Sequence, residues 1–234
     1  MGARACRLTG WVLLSAAMTD HAIAAESLNA DDMYLLLRDA VMPRPIAWVS
    51  TIDERGLTNL APYSFFTVVS PNPPVLGFSV GPRSGRRGSG DTELKDTLIN
   101  IRANDEFVVN IVPERFIEQM VRSSDPLPHG ESEFAHAALV EQPSTLVKPP
   151  RVAGATVAFE CTTYDIVYVG KSAWVMGLVK MIHVEPRAYV GTKGVNQHRI
   201  DVLKETELRP VGRLGRANYV RLREIETHLR KDGG

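Results

Sequence analysis

Three arginines, a lysine and a threonine are gathered in a glycine-rich part of the chain. The run Gly81-Pro82-Arg83-Ser84-Gly85-Arg86-Arg87-Gly88-Ser89-Gly90 leads into Asp91-Thr92-Glu93-Leu94-Lys95-Asp96-Thr97-Leu98-Ile99-Asn100-Ile101. Leu94, Leu98 and Ile101 recur at helical spacing, and Asp96 or Thr97 is placed to cap the helix they predict. A basic loop feeding a helix start brings together main-chain N–H groups, the positive end of the helix dipole and cationic side chains. That combination suits phosphate, with Lys95, Thr97 and the loop as candidate contacts. An exposed loop with solvated arginines is the plainer alternative.

A second stretch, Arg44 to Phe66, has the texture of a hairpin ending on a corner. Ile46-Ala47-Trp48-Val49-Ser50-Thr51-Ile52 is strand-like, Asp53-Glu54-Arg55-Gly56 has turn chemistry, and Leu57-Thr58-Asn59-Leu60 returns. Ala61-Pro62-Tyr63-Ser64 then sets a residue with no main-chain donor beside small and hydroxyl side chains. Such a corner can present main-chain groups to a ligand, and it can equally be scaffold.

Other chemistries fail on spacing or context. Val169-Gly170-Lys171-Ser172 looks like the end of a phosphate loop, but strand patterns flank it on both sides. There is no G-x-S-x-G elbow, and Gly85, Gly88 and Gly90 do not fit a dinucleotide fingerprint. The histidines at 21, 129, 136, 183, 198 and 228 show no metal-ligand spacing, and no two carboxylates stand out as an acid–base couple. If the protein is an enzyme, a bound cofactor is the natural carrier of its reactivity.

The elements that must position these residues are mostly strands. After a predicted helix over Glu26 to Val41, capped by Asn29 or Asp31, four strand signals fall within forty residues: the hairpin, Phe65 to Ser70, and Val75 to Val80. A fifth strand follows at Phe107 to Val112, a helix at Pro113 to Arg122, and a short helical stretch at Glu131 to Val140. Two long strand candidates come next, Ala155 to Val169 and Ser172 to Val184. The pattern predicts a closed or nearly closed antiparallel β structure with flanking helices.

The 234 residues carry 44% hydrophobic and 23% charged side chains, ordinary proportions for a globular chain. Lys plus Arg and Asp plus Glu both total 27, so net charge gives no support to nucleic-acid or anionic-membrane binding. Two cysteines, Cys6 and Cys161, make no disulfide framework. Residues 1–25 have the outline of a secretory signal peptide, with Arg4 and Arg7 before a short apolar run and small residues at Ala22 to Ala25. Asp20 and His21 interrupt that outline, so an N-terminal extension is the alternative. The apolar run is too short to span a bilayer.

Several ordered blocks resemble the flavin reductase-like family of FMN-binding split-barrel proteins. They are Arg44 to Thr51 with Gly56, Asn59, Ala61 to Ser64 and Phe65-Phe66; Lys95 to Asn100; Glu106 to Asn110; and Glu131-Ser132-Glu133-Phe134. The resemblance covers roughly residues 40 to 185. It implies a mainly β fold, a six-stranded antiparallel Greek-key split barrel that binds FMN, here over residues 26–190. The tail, 191–234, is expected to pack on the barrel or on a partner subunit. FMN would be held by Arg44, Ser50, Thr51, Asn59, Ala61, Pro62, Tyr63, Ser64, Arg83, Lys95 and Thr97, with the first two hydroxyl residues along the ring and Lys95, Thr97 and Arg83 at the phosphate. His129 could border a nicotinamide, or be an exposed loop residue; Arg86 and Arg87 are unassigned. The implied activity is transfer of hydride from NADH or NADPH to flavin, then to free flavin or a partner oxygenase, by a cytoplasmic homodimer. An FMN-binding electron carrier without nicotinamide activity is the alternative, as is export for the location.

Overall fold

The computed structural model describes residues 21–83, 94–128, 130–194 and 197–228. Its first helix, α1 (Ala30–Ala40), begins where Asn29 accepts a hydrogen bond from the Asp32 N–H at 2.9 Å, one of the two caps expected. The strands follow as β1 (Ala47–Ile52), β2 (Thr58–Tyr63), β3 (Phe66–Pro71) and β4 (Pro74–Val80). Next come α2 (Asp96–Asn104), β5 (Glu106–Ile111), a 3-10 turn at Glu114–Phe116, α3 (Ile117–Arg122) and α4 (Glu133–His136). The short pair β6 (Glu141–Gln142) and β7 (Arg151–Val152) precedes the long hairpin β8 (Val157–Val169) and β9 (Ser172–Val184). Two small ribbons end the chain: β10 (Tyr189–Thr192) with β11 (His198–Ile200), and β12 (Val211–Arg213) with β13 (Tyr219–Arg221).

Seven strands form one antiparallel sheet in the order β2-β1-β5-β8-β9-β4-β3. That is one strand more than the six the resemblance implies, because β3 extends the sheet beyond β4. The β1–β2 turn is closed by Gly56 at φ +87° and by Asp53, whose carboxylate accepts from the Arg55 and Leu57 N–H groups at 2.8 Å each.

The sheet curls so that its ends share a core. Tyr63 on β2 lies 5.2 Å from Phe78 on β4, and Phe78 lies 5.6 Å from Phe107 on β5, ring centre to ring centre. Ala47 and Val49 join this interior, and Leu98 and Ile101 of α2 pack into it. A second core lies on the other side of β1, where Ile46, Trp48 and Leu60 meet Met120 of α3, Phe134 of α4 and Val211 of the tail. Alternate residues of one strand therefore feed two cores, and β1 is buried along nearly its whole length. Gly177 of β9 leaves room for the Phe107 ring; a Cβ there would fall on it.

Candidate functional site

A cleft of about 300 Å³ opens between β2, the start of α2, the segment 123–127 and α4. Of the residues expected to hold the cofactor, Asn59, Ala61, Pro62, Tyr63, Arg83, Lys95 and Thr97 line it. They come from separate parts of the chain because β2 is an edge strand and α2 packs across its end. One edge of β2 pairs with β1; its other edge carries the Leu60 N–H, which donates to Glu133 Oε2 at 3.0 Å. Two residues on, the same edge carries Pro62, which can accept through its carbonyl but has no N–H to offer.

The helix start departs from the expected cap. Lys95, not Asp96 or Thr97, occupies the N-cap, and its side chain makes no capping bond. Its ammonium lies 5.4 Å from the centre of the Tyr63 ring and has no hydrogen bond or ion pair among the described residues. Burial lowers its pKa. The Thr97 N–H, in the first turn, likewise has no acceptor among the described residues. The Tyr63 hydroxyl is enclosed without a hydrogen-bond partner among the described residues, and burial raises its pKa. Arg83 reaches the same place, donating to the Leu127 carbonyl at 3.0 Å and standing 3.5 Å from Asp96.

Asn59 is the hub of a buried polar network. Its Nδ2 donates to both carboxylate oxygens of Glu133, at 3.0 and 2.9 Å. Its Oδ1 accepts from the hydroxyls of Thr97 at 2.8 Å and Thr51 at 3.2 Å. Asn100 Nδ2 in turn donates to Thr51 at 3.0 Å. Burial raises the Glu133 pKa against the pull of the Leu60 and Asn59 bonds, and Asp96 adds to the rise.

Four expected site residues lie elsewhere. Ser50 faces away from the cleft, fully buried, and donates to the Pro150 carbonyl at 2.5 Å. Thr51 is equally buried and reaches the cleft only through Asn59. Arg44 donates to the carbonyls of Arg38 and Val41, both at 2.5 Å, and of Leu214 at 3.1 Å, so it ties α1 to the tail. Ser64 accepts from Arg44 at 3.3 Å. His129, Arg86, Arg87 and residues 1–20 lie outside the described residues. Glu133 and the segment Ser123 to Leu127 also line the cleft. Glu133 stands in a block that carries the family resemblance, so its signal is present in the sequence without a role attached; segment 123–127 has none beyond loop composition.

The comparisons with known proteins agree with this fold. The family model of the flavin reductase like domain matches residues 38–195. The chain belongs to that family. A protein of Aquifex aeolicus is 39% identical over 193 residues, 82% of this chain and 91% of the relative. Among solved structures, nitrilotriacetate monooxygenase component B from Bacillus cereus superposes with a TM-score of 0.77 at 30% identity, covering 88% of this chain and 98% of that one. The 2-nitrobenzoate 2-nitroreductase NbaA of Pseudomonas fluorescens superposes with a TM-score of 0.75 at 30% identity, covering 90% and 96%. Membership of the flavin reductase like family implies an oxidoreductase that binds flavin. Among the described residues there is no metal-ligand cluster and no helix long and apolar enough to cross a membrane.

Proposed function

We propose that the cleft binds FMN and that the protein is an NAD(P)H-dependent flavin reductase. The observation that carries this is the pair of donors without acceptors at the start of α2, the Lys95 ammonium and the Thr97 N–H. A half-buried cation and a helix-start N–H without an acceptor both favour an incoming anion, and a flavin phosphate supplies one. Arg83 is a third cationic contact. Away from that end, the open edge of β2 offers the Pro62 carbonyl to a ring N–H, and Asn59 to Tyr63 form the wall on which the ring would lie.

When bound, FMN would accept hydride from NADH or NADPH and pass electrons to an acceptor, either free flavin or a partner oxygenase. The protein's own residues bind the phosphate, hold the ring end and leave one side of the cleft open; no side chain of the cleft is required as acid or base. A partner oxygenase is supported by the likeness to a monooxygenase component B. A homodimer is supported by apolar side chains left exposed on β3 and the β8–β9 hairpin, Val68, Val69, Tyr168 and Val169 among them.

Anaerobic mixing of the FMN-loaded protein with NADH or NADPH tests the reading. Bleaching of the flavin band at catalytic speed is expected with one of the two. Bleaching only by an external reductase would make the protein an electron carrier instead.

A further inference from the structure

Among the described residues, Glu133 is the one buried carboxylate of the cleft, and binding of a flavin phosphate gives it no direct task. Both its oxygens are turned to β2, where they accept from Asn59 Nδ2 and from the Leu60 N–H. A carboxylate only accepts, so the Asn59 nitrogen must face Glu133 and the Asn59 oxygen must face away. On that far side the oxygen accepts from Thr97 and Thr51. A hydroxyl has a single proton, and that of Thr97 is therefore directed to Asn59 and away from any ligand. The opposite amide orientation would set Oδ1 against the carboxylate, oxygen facing oxygen with no proton between them. One carboxylate on α4 thus fixes donor directions on β2, β1 and α2.

We propose that Glu133 is a positioning residue acting through Asn59: it locks the amide that pins the first turn of α2 to the edge strand. Thr97 then meets the ligand with its main-chain N–H, and the anion is held by that N–H and the Lys95 ammonium. The inference rests on the FMN reading of the cleft. It adds that the phosphate end, on α2, and the ring end, on β2, are held in register by Asn59. It also assigns Asn59 a second effect, since the neutral amide keeps the Glu133 charge one residue away from the phosphate end.

Full-length Glu133→Gln, Asn59→Asp and the double variant test this. In Glu133→Gln the new amide turns its NH2 group towards either Asn59 Nδ2 or the Leu60 N–H. That single variant should therefore bind FMN and riboflavin about tenfold more weakly. In the double variant the amide at position 133 accepts from the Leu60 N–H and donates to the carboxylate now at position 59. That carboxylate accepts from Thr51 and Thr97. The bonds are remade with the charge moved from position 133 to position 59. The double variant's denaturant midpoint should return to near that of the wild type, and its riboflavin affinity to within about threefold. FMN affinity should stay about fivefold lower, because the carboxylate now adjoins the phosphate end. A purely structural Glu133 would show both ligands restored alike, and that result overturns the proposal. So does Glu133→Gln binding both flavins like the wild type, or a well-folded double variant that does not recover riboflavin. If the wild type takes up neither flavin, the FMN reading is what fails. Unfolding of the ligand-free proteins then decides the inference. A double variant more stable than either single variant supports the coupling, and additive losses refute it.

Discussion

Two polar depressions of similar size differ in one respect. The cleft beside α2 measures about 300 Å³, and a second depression, lined by Glu114, Arg115, Glu207 and Arg221, about 340 Å³. In the second, every cation has a partner, Arg221 standing 3.4 Å from Glu114. Arg223 holds both oxygens of Glu114 at 2.6 Å, Arg115 stands 3.5 Å from Glu207, and Arg187 binds Glu185, Glu205 and Glu207. These pairs fasten the tail to the 3-10 turn after β5. In the cleft, Lys95, Thr97 N–H and Tyr63 Oη have none of comparable quality among the described residues. Size and polarity therefore do not distinguish a binding site from a fastening. Unmet donors do, because a buried donor left unpaired is costly unless a ligand completes it.

The two buried glutamates sharpen the contrast. Glu160 on β8 accepts from the Thr145 and Leu146 N–H groups, each at 2.6 Å, and from His183 at 2.5 Å. Burial pushes its carboxyl up, but these partners outweigh burial and the net shift is downward. Glu133, with one main-chain N–H, one amide and Asp96 nearby, ends with its pKa raised. The fully compensated carboxylate is structural, and the under-compensated one faces the cleft.

The largest expected effect is at the compensated glutamate, Glu160. Glu160→Ala leaves two N–H groups and His183 unpaired and should destabilise the fold by about 3 kcal/mol, read from the denaturant midpoint. With Glu160→Gln the pH trend is diagnostic. A depressed folded pKa gives stability that is present above the unfolded value and lost as pH falls through the folded one. The wild type's advantage over Glu160→Gln should therefore shrink in acid. The raised pKa of Glu133 works the other way, so the wild type should gain on Glu133→Gln as pH falls from neutral towards the ordinary carboxylate range.

Lys95→Ala comes next. FMN affinity should fall by about 1.5–3 kcal/mol and riboflavin affinity much less, with little loss of stability, because the ammonium has only the Tyr63 ring to lose. Since burial lowers the Lys95 pKa, the preference for FMN over riboflavin should fade with rising pH before an ordinary lysine would neutralise. Equal loss of both flavins would break the comparison. Glu114→Ala, in the paired depression, should cost no more than about 1 kcal/mol and leave flavin affinity unchanged. The smallest change in selectivity belongs to Thr97→Val. It removes the hydroxyl that pins α2 to Asn59, so both flavins should bind more weakly, but it keeps the main-chain N–H, and the ratio of FMN to riboflavin affinity should move by no more than about twofold. A collapse of that ratio would make the hydroxyl the phosphate ligand.

The strands are legible because β-branched and aromatic runs are punctuated by turn residues, and β9 has the bounds its sequence predicts. Seven strand signals are readable locally, and the seven-stranded sheet follows them more closely than the six-stranded family expectation does. The α2 cap escapes local reading because the Thr97 hydroxyl is engaged by Asn59, 38 residues away, and no local rule sees that bond. Ser50 and Thr51 are both expected along one ring, yet consecutive strand residues point to opposite faces. Alternation alone separates them. Glu133 carries no assigned role in the sequence because its partners lie 73 and 74 residues earlier in the chain. Arg44 is readable as part of a family block, but one of its three carbonyl partners, Leu214, lies 170 residues on and depends on the tail returning to α1.

The central claim is that the unmet donors at the start of α2 bind a flavin phosphate. Titration of the flavin-free protein with FMN and with riboflavin, followed by flavin fluorescence at neutral pH, tests it directly. Saturable FMN binding, with riboflavin at least about tenfold weaker, is the predicted result. Equal affinities, or no uptake of FMN, would contradict it.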